Sequence, residues 1–450
     1  MKNCFASTKD GKIKGSINHG IFQFHRIPYA KPPVGPLRFR MPQPTEPWDG
    51  EYDGTFRGNI APQGPSDLDI PMGPTLGTCS EDCLTLAVST PSLNGHLPVA
   101  VWFHGGANCY GAGDLDWYDG ASLARSEQIV VVNLNYRLGP FGFFCYPGVC
   151  EETLNIEDQI MALHWIQENI SNFGGDPNRV TLFGQSAGGN AIAHLLSRPD
   201  TEGLFHQVIM ESASLGRGHH TMEDAFEVGN AMLKELNIHS QNPTDILEEL
   251  QAKTADEILL AADSIPNELR TKHQMMIFKP VKTQWHTPDQ TVEALKKEAI
   301  RRKTRIIMGF TVNEMRAFIP GKDEESLTLA KNIQEQRYDQ PGKKFVNAAS
   351  EGGCHVWKYR FAWKAPESDY DSCHCLELPF LFGNLDTWDA PMLKGAGREE
   401  MLALQQTMQS LWGTFFRFEE FDSAVWPRYN TSDKFVKCID NITNLPISEE

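Results

Sequence analysis

Nowhere in the 450 residues is there an apolar run of about 18, the length a helix needs to begin spanning a bilayer. The opening stretch, MKNCFASTKDGKIKG, also lacks the apolar centre of a secretory leader. Together these absences predict a cytoplasmic protein with no stable membrane association. Positive charge is in short supply, since 41 Lys and Arg stand against 58 Asp and Glu for a formal charge of −17. A surface of that sign repels a phosphate backbone, so nucleic acid is not an expected partner. The ten cysteines include no Cys-x-x-Cys pair and no His-rich companion, and no metal site is expected from them. Reduced thiols suit such a chain, and a local disulfide or metal site at Cys79 with Cys83 or at Cys145 with Cys150 is the lesser alternative. Repeats, low-complexity tracts and a Pro- or Gly-rich linker are missing too, which argues for a single domain over residues 1–450.

What is present is enough apolar material for a large core: 40% of residues are hydrophobic and 22% charged, as in soluble globular chains. Val99–Phe103, Ile129–Leu134, Val180–Phe183, Val208–Met210 and Ile306–Met308 are short and continuously apolar, the pattern of strands buried on both faces. Val356–Trp363 is a more polar candidate strand. Residues 156–170 place apolar side chains near helical spacing, and Ala187–Leu196 reads as a helix that stops before Pro199. Strands alternating with helices build a mostly parallel sheet covered by helices, an α/β fold. Residues 221–299 are charged and helix-prone and break that rhythm, as an inserted helical subdomain would. Pro62–Thr78, rich in Pro, Gly and Asp, reads as a long loop near a functional edge.

Gly184-Gln185-Ser186-Ala187-Gly188 fits the nucleophile elbow, in which small neighbours let a serine occupy a sharp turn with its hydroxyl exposed. The pattern alone is weak, but here an apolar strand precedes it and a helix follows, which is the setting the motif requires. A helix N-terminus adds partial positive charge and free amides beside a developing oxyanion. Upstream, His104-Gly105-Gly106-Ala107 directly follows the strand ending at Phe103. Glycines there let backbone amides approach a substrate, so Gly105 and Gly106 are candidate oxyanion donors alongside the amide of Ala187. Losing one such donor typically costs about 3 kcal/mol of barrier height.

At this point the chain resembles the type-B carboxylesterases, which include bacterial para-nitrobenzyl-type esterases and the cholinesterases. The resemblance is carried by IPYAKPPVGPLRFR (27–40), SEDCLTLAV (80–88), the HGGA segment, NYRLG (135–139) and FGGDPNRVTLFGQSAGG (173–189), and spans most of the chain. It implies the α/β-hydrolase fold and hydrolysis of small to medium carboxylic esters by a serine enzyme that needs no cofactor. It also implies a triad in which Glu314, in GFTVNEMRAF, orients His374, in CHCLELPFLFGNL, and His374 serves Ser186. Two other readings remain, an interfacial lipase and a noncatalytic interaction protein of the cholinesterase type.

Several positions depart from the family pattern. Ala61 stands where a disulfide cysteine is usual, so that bridge is not expected; Ala87 replaces an asparagine, Gln185 replaces a glutamate, and FKPVKTQW lacks an Asp-Gly. These changes bear on substrate preference. Trp117, Met275, Met276, Ile277 and Phe278 are apolar candidates for lining an acyl or alcohol pocket, with core packing the alternative. Cys373 and Cys375 flank His374, and Cys109 follows the glycines. Packing is their expected role, but modification beside His374 would block the site, and inhibition by a mercurial is the expected sign of it. Oligomeric state is unknown from the sequence.

Overall fold

Strands that are apolar on both sides must be covered on both faces, and the protein meets that demand with one sheet between two layers of helix. The computed structural model describes residues 2–281 and 291–440. Among these, twelve strands join the sheet: β1 (Lys2–Ser7), β2 (Lys12–Asn18), β3 (Ile21–Pro28), β4 (Glu51–Asp53), β5 (Thr85–Thr90), β6 (Leu97–Phe103), β7 (Val130–Leu134), β8 (Gly175–Gln185), β9 (Gln207–Glu211), β10 (Arg305–Thr311), β11 (His355–Phe361) and β12 (Lys437–Ile439). Their order is β1-β2-β3-β5-β7-β6-β8-β9-β10-β11-β12, with β4 on β2. Pairings from β7 through β12 are parallel, and those that join β1, β2, β3, β5 and β7 are antiparallel. The expected apolar runs all lie in β6 to β10, so the mostly parallel sheet is where the sequence put it.

Side chains alternate across that sheet. Val99, Val101 and Phe103 of β6 enter one core, and Ala100 and Trp102 enter the other. The same division separates Ile306, Met308 and Phe310 from Ile307 on β10. Helices Leu154–Asn169, Ala187–Ser197, Thr291–Arg302 and Gln340–Glu351 supply Leu163, Ile192, Leu295 and Phe345 to the first core. Ala121–Glu127, Leu378–Phe382 and Arg398–Phe416 supply Leu123, Phe382 and Trp412 to the second. No helix of the described residues is long and apolar enough to cross a membrane.

Helices Met222–Glu235, Pro243–Ala252, Ala255–Asp263 and Asn267–Lys272 occupy much of the segment read as an insertion. They gather Val228, Met232, Ile246, Leu250 and Ile258 into a core of their own, against Phe141 and Phe144. Residues 282–290 of that segment, with part of FKPVKTQW, lie outside the described residues. Beyond them, helix Thr291–Arg302 packs on the main core through Leu295 and Ala299. Arg38 ties the two parts together: its Nε donates to Glu81 at 2.7 Å and its Nη1 to the carbonyls of Leu250 and Gln251, both at 3.1 Å.

Candidate active site

The parallel strands β6, β8, β9, β10 and β11 end at the same edge, and the chain beyond each carboxyl end carries a polar or glycine-rich segment. In open α/β sheets that edge is where ligands bind. After β8, Ser186 has φ 57° and ψ −119° and begins helix Ala187–Ser197 on its next residue. Such a conformation costs on the order of 1–3 kcal/mol outside glycine and persists only where its surroundings enforce it. Here the Ser186 amide donates to the Glu211 carbonyl on β9 at 2.8 Å, and the Ser186 carbonyl accepts from Asn190 at 3.0 Å. Gly188 lets the helix reach the end of β6, because a Cβ there would lie 2.0 Å from the Phe103 carbonyl oxygen. Ser186 itself is half-buried.

Beyond β10 and β11, Glu314 and His374 come together, both without exposed side-chain surface, with His374 Nδ1 bonded to Glu314 Oε2. The other carboxylate oxygen accepts from Ser212 Oγ at 2.6 Å and from the Thr311 amide at 2.7 Å. The carboxylate is therefore fixed on both sides, and it fixes the imidazole in turn. His374 Nε2 lies 3.2 Å from the side-chain amide of Gln185, the residue before Ser186. Among the described residues no hydrogen bond joins Ser186 Oγ to His374. With Nδ1 hydrogen-bonded to a carboxylate, Nε2 is the acceptor, and the Gln185 amide occupies it.

Past β6, the amides of Gly105 and Gly106 donate to nothing among the described residues, and Ala187, first in its helix, has no intrahelical acceptor for its own. His104 anchors this loop: Nδ1 bonds the Gly105 carbonyl at 2.8 Å, and the ring stacks on Tyr136 at 4.4 Å. Burial pushes His104 down to about 4, so it is a neutral prop at ordinary pH. Gln63 clamps the next turn, donating to the Gly111 carbonyl at 2.9 Å and accepting from its amide at 2.6 Å. Ala107, Asn108, Ser186, Ser212 and Cys375 all have positive φ, so left-handed backbone concentrates around this edge.

Two cavities flank the edge. One, about 420 Å³ with its mouth, runs from Gly105, Gly106 and Gln185 to Met72, Trp117 and Tyr118. The Pro62–Thr78 loop forms part of its wall through Ser66, Leu68 and Met72. The other, about 640 Å³ with the open space at its mouth, runs from Ala187 and Asn190 to Met276 and Lys279. Of the apolar candidates, Trp117 and Met276 therefore line cavities. Met275 points into solvent, 67% exposed, while Ile277 and Phe278 pack in the insertion core.

Buried carboxyl groups surround Glu314 as well. Burial pushes Glu211 up to about 8, against the pull of the Trp412 indole that donates to it at 2.5 Å. Burial also pushes Glu377 well up, helped by Glu314 and Glu211. Burial thus favours the protonated form of both, which limits the negative field they add at the imidazole.

All ten cysteines are free thiols, which removes the two local disulfides left open above, and Ala61 is buried. Cys373 and Cys375 are at most 2% exposed, and burial pushes both thiols well up. A mercurial needs an accessible thiolate, so rapid inhibition through these residues is not what the geometry supports. Among the described residues, the group able to share a cation is Asp224, Glu227 and His273 on the insertion, where Glu227 already pairs with Lys272 at 2.5 Å. Sequence reading did not single out Gln63, Ser212, Thr311 or Lys279. Each is an ordinary residue type in a loop or at a strand end, and only contact reveals its place.

A family model described as the carboxylesterase family matches residues 2–340. Over 491 aligned residues the chain is 36% identical to the para-nitrobenzyl esterase of Bacillus subtilis, covering 100% of this chain and 98% of that one. It is 34% identical to a probable N-octanoylanthranilate hydrolase of Rhodococcus erythropolis, covering 96% of this chain and 97% of that one. A solved PNB esterase structure aligns with a TM-score of 0.86 at 34% identity, over 98% of this chain and 96% of its own.

Proposed function

The chain belongs to the carboxylesterase family and has the α/β-hydrolase fold, and on that premise we propose that it hydrolyses small to medium esters through Ser186, His374 and Glu314. The observation that carries the reading is the serine in a strained turn, next in sequence to the side chain that holds Nε2 of a carboxylate-locked imidazole.

In the proposed reaction the Gln185 amide first leaves His374 Nε2, a rearrangement that gives up one hydrogen bond worth about 1 kcal/mol net. Ser186 Oγ then attacks the ester carbonyl carbon while Nε2 takes its proton. The carbonyl oxygen becomes an oxyanion facing the amides of Gly105, Gly106 and Ala187. As the tetrahedral intermediate collapses, the C–O bond to the alcohol breaks and His374 returns the proton to that oxygen. Water, deprotonated by His374, attacks the acyl carbon, the bond from that carbon to Ser186 Oγ breaks, and His374 returns the proton to Oγ as the acid is released. Glu314 keeps the imidazole oriented and stabilises its cation, with Ser212 and Thr311 as positioning residues. Only groups of this chain and water take part.

The test is Ser186→Ala assayed on para-nitrophenyl butyrate beside a fluorophosphonate probe. Turnover should fall by roughly 10⁴–10⁶ and labelling should vanish. A variant that keeps more than about a tenth of the wild-type rate would sink the reading.

A further inference from the structure

Lys279 is buried at 6% exposure, yet no carboxylate lies within ion-pair distance of it among the described residues. Its ammonium donates to the Arg217 carbonyl at 3.3 Å, and both residues line the cavity that begins at Ala187. Arg337 stands behind Arg217, its backbone against Gly216. Burial and then the charges of Arg217 and Arg337 press Lys279 down to about 8. The acid that acts on Lys279, Asp224, is engaged by Thr221, whose hydroxyl donates to it at 2.8 Å in the capping box of helix Met222–Glu235. Two cations, Lys279 and Arg217, thus line a cavity whose described lining includes no carboxylate, with Arg337 behind them.

Burying an ammonium without a counter-charge is costly, and a cavity wall is an unusual place to leave one. The remaining wall is mainly apolar or amide: Ala187, Ala191, Leu215, Met276, Asn108 and Asn190. We infer that this cavity receives an ester carrying a carboxylate on one of its two halves, paired with Lys279 and Arg217 while the carbonyl lies at Ser186. The inference rests on the esterase reading above and narrows its substrate class. The net charge of −17 does not contradict it. Charges beyond about 8 Å are largely screened at physiological salt, whereas a carboxylate in the cavity meets its partners directly. The apolar stretch between Ala187 and Lys279 holds the methylene or ring spacer. Ala187 links the two places, as the residue after Ser186 and part of the wall of this cavity.

Two substrate pairs test the assignment. Para-nitrophenyl hemiglutarate against para-nitrophenyl pentanoate places the charge in the acyl half, and 3-carboxyphenyl butyrate against its methyl ester places it in the alcohol half. The readout is the ratio of kcat/KM, charged over neutral, in the wild type, Lys279→Met, Arg217→Gln and Ser186→Ala. In one pair the wild-type ratio should exceed one, and either cavity substitution should lower it by about tenfold to a hundredfold. The pair that responds tells which half carries the charge. Arg217 is half-buried, so Arg217→Gln reads the site even where Lys279→Met does not fold. Loss of all hydrolysis in Ser186→Ala, with ratios below one in both pairs or ratios that neither substitution moves, overturns the carboxylate assignment alone. Hydrolysis that survives in Ser186→Ala removes the esterase reading, and the assignment falls with it.

Discussion

Gly106 has φ 104°, and a Cβ placed on it would stand 2.1 Å from the Tyr110 carbonyl oxygen. Alanine can enter only by moving the peptide that carries the proposed oxyanion donor. Gly106→Ala should therefore lower kcat on para-nitrophenyl butyrate by about 10²–10³ with a smaller change in KM, at nearly unchanged Tm. A kcat within about threefold of wild type would remove Gly106 from the donor set. Residues like this one were legible in the sequence because the chemistry itself demands them: a sharp turn and a close backbone approach need small neighbours. Glu314 and His374 were not legible that way. They lie 60 residues apart and meet only because β10 and β11 are adjacent parallel strands, so resemblance had to supply them. Ser212, Gln63 and Lys279 had no signal at all, since nothing in a serine, a glutamine or a lysine announces what will face it.

Among the elements, the strands buried on both faces were readable as continuous apolar runs, whereas β1 and β2 were not. KNCFAS and KIKGSIN mix lysine with apolar residues at the open edge of the sheet, with four of six residues exposed in β1 and one of seven in β2. The β2–β3 hairpin turns on His19 and Gly20, with φ 47° and 82°, the two left-handed positions of a type I′ turn. Motifs that carried the resemblance also have structural work: Arg38 and Glu81, from two of them, form a nearly buried pair that reaches the carbonyls of helix Pro243–Ala252. Arg38→Met leaves Glu81 buried without its partner, a loss of about 3–5 kcal/mol in such settings. The consequence should concentrate in the insertion, where hydrogen exchange over residues 243–263 is expected to accelerate well before that of β6 and β8. Equal acceleration in all these segments would mean that Arg38 supports the sheet rather than the tether.

For the molecule as a whole, the acids that do not ionise govern the alkaline limit. Glu211 is buried between Ser186, whose amide its carbonyl binds, and Trp412, and it titrates at about 8 rather than near 4.5. In the unfolded chain the same carboxyl loses its proton near pH 4.5. Below that value both states are protonated and the folded state keeps its full stability. Between pH 4.5 and 8 the unfolded state alone gains from ionisation, so stability falls as pH rises, by up to roughly 5 kcal/mol for this one group. Glu377, pushed up alongside it, adds a decline of the same sign. Glu211→Gln keeps the acceptor for Trp412 and removes the titration. Its Tm should match or fall slightly below wild type at pH 5 and exceed it by at least roughly 2 °C at pH 9. The check is a calorimetric Tm series across that range for both proteins: curves that run parallel would show that Glu211 does not hold its proton through neutrality. The direction distinguishes this cause from surface charge, because ionising exposed groups of an already acidic chain would weaken Glu211→Gln and wild type alike.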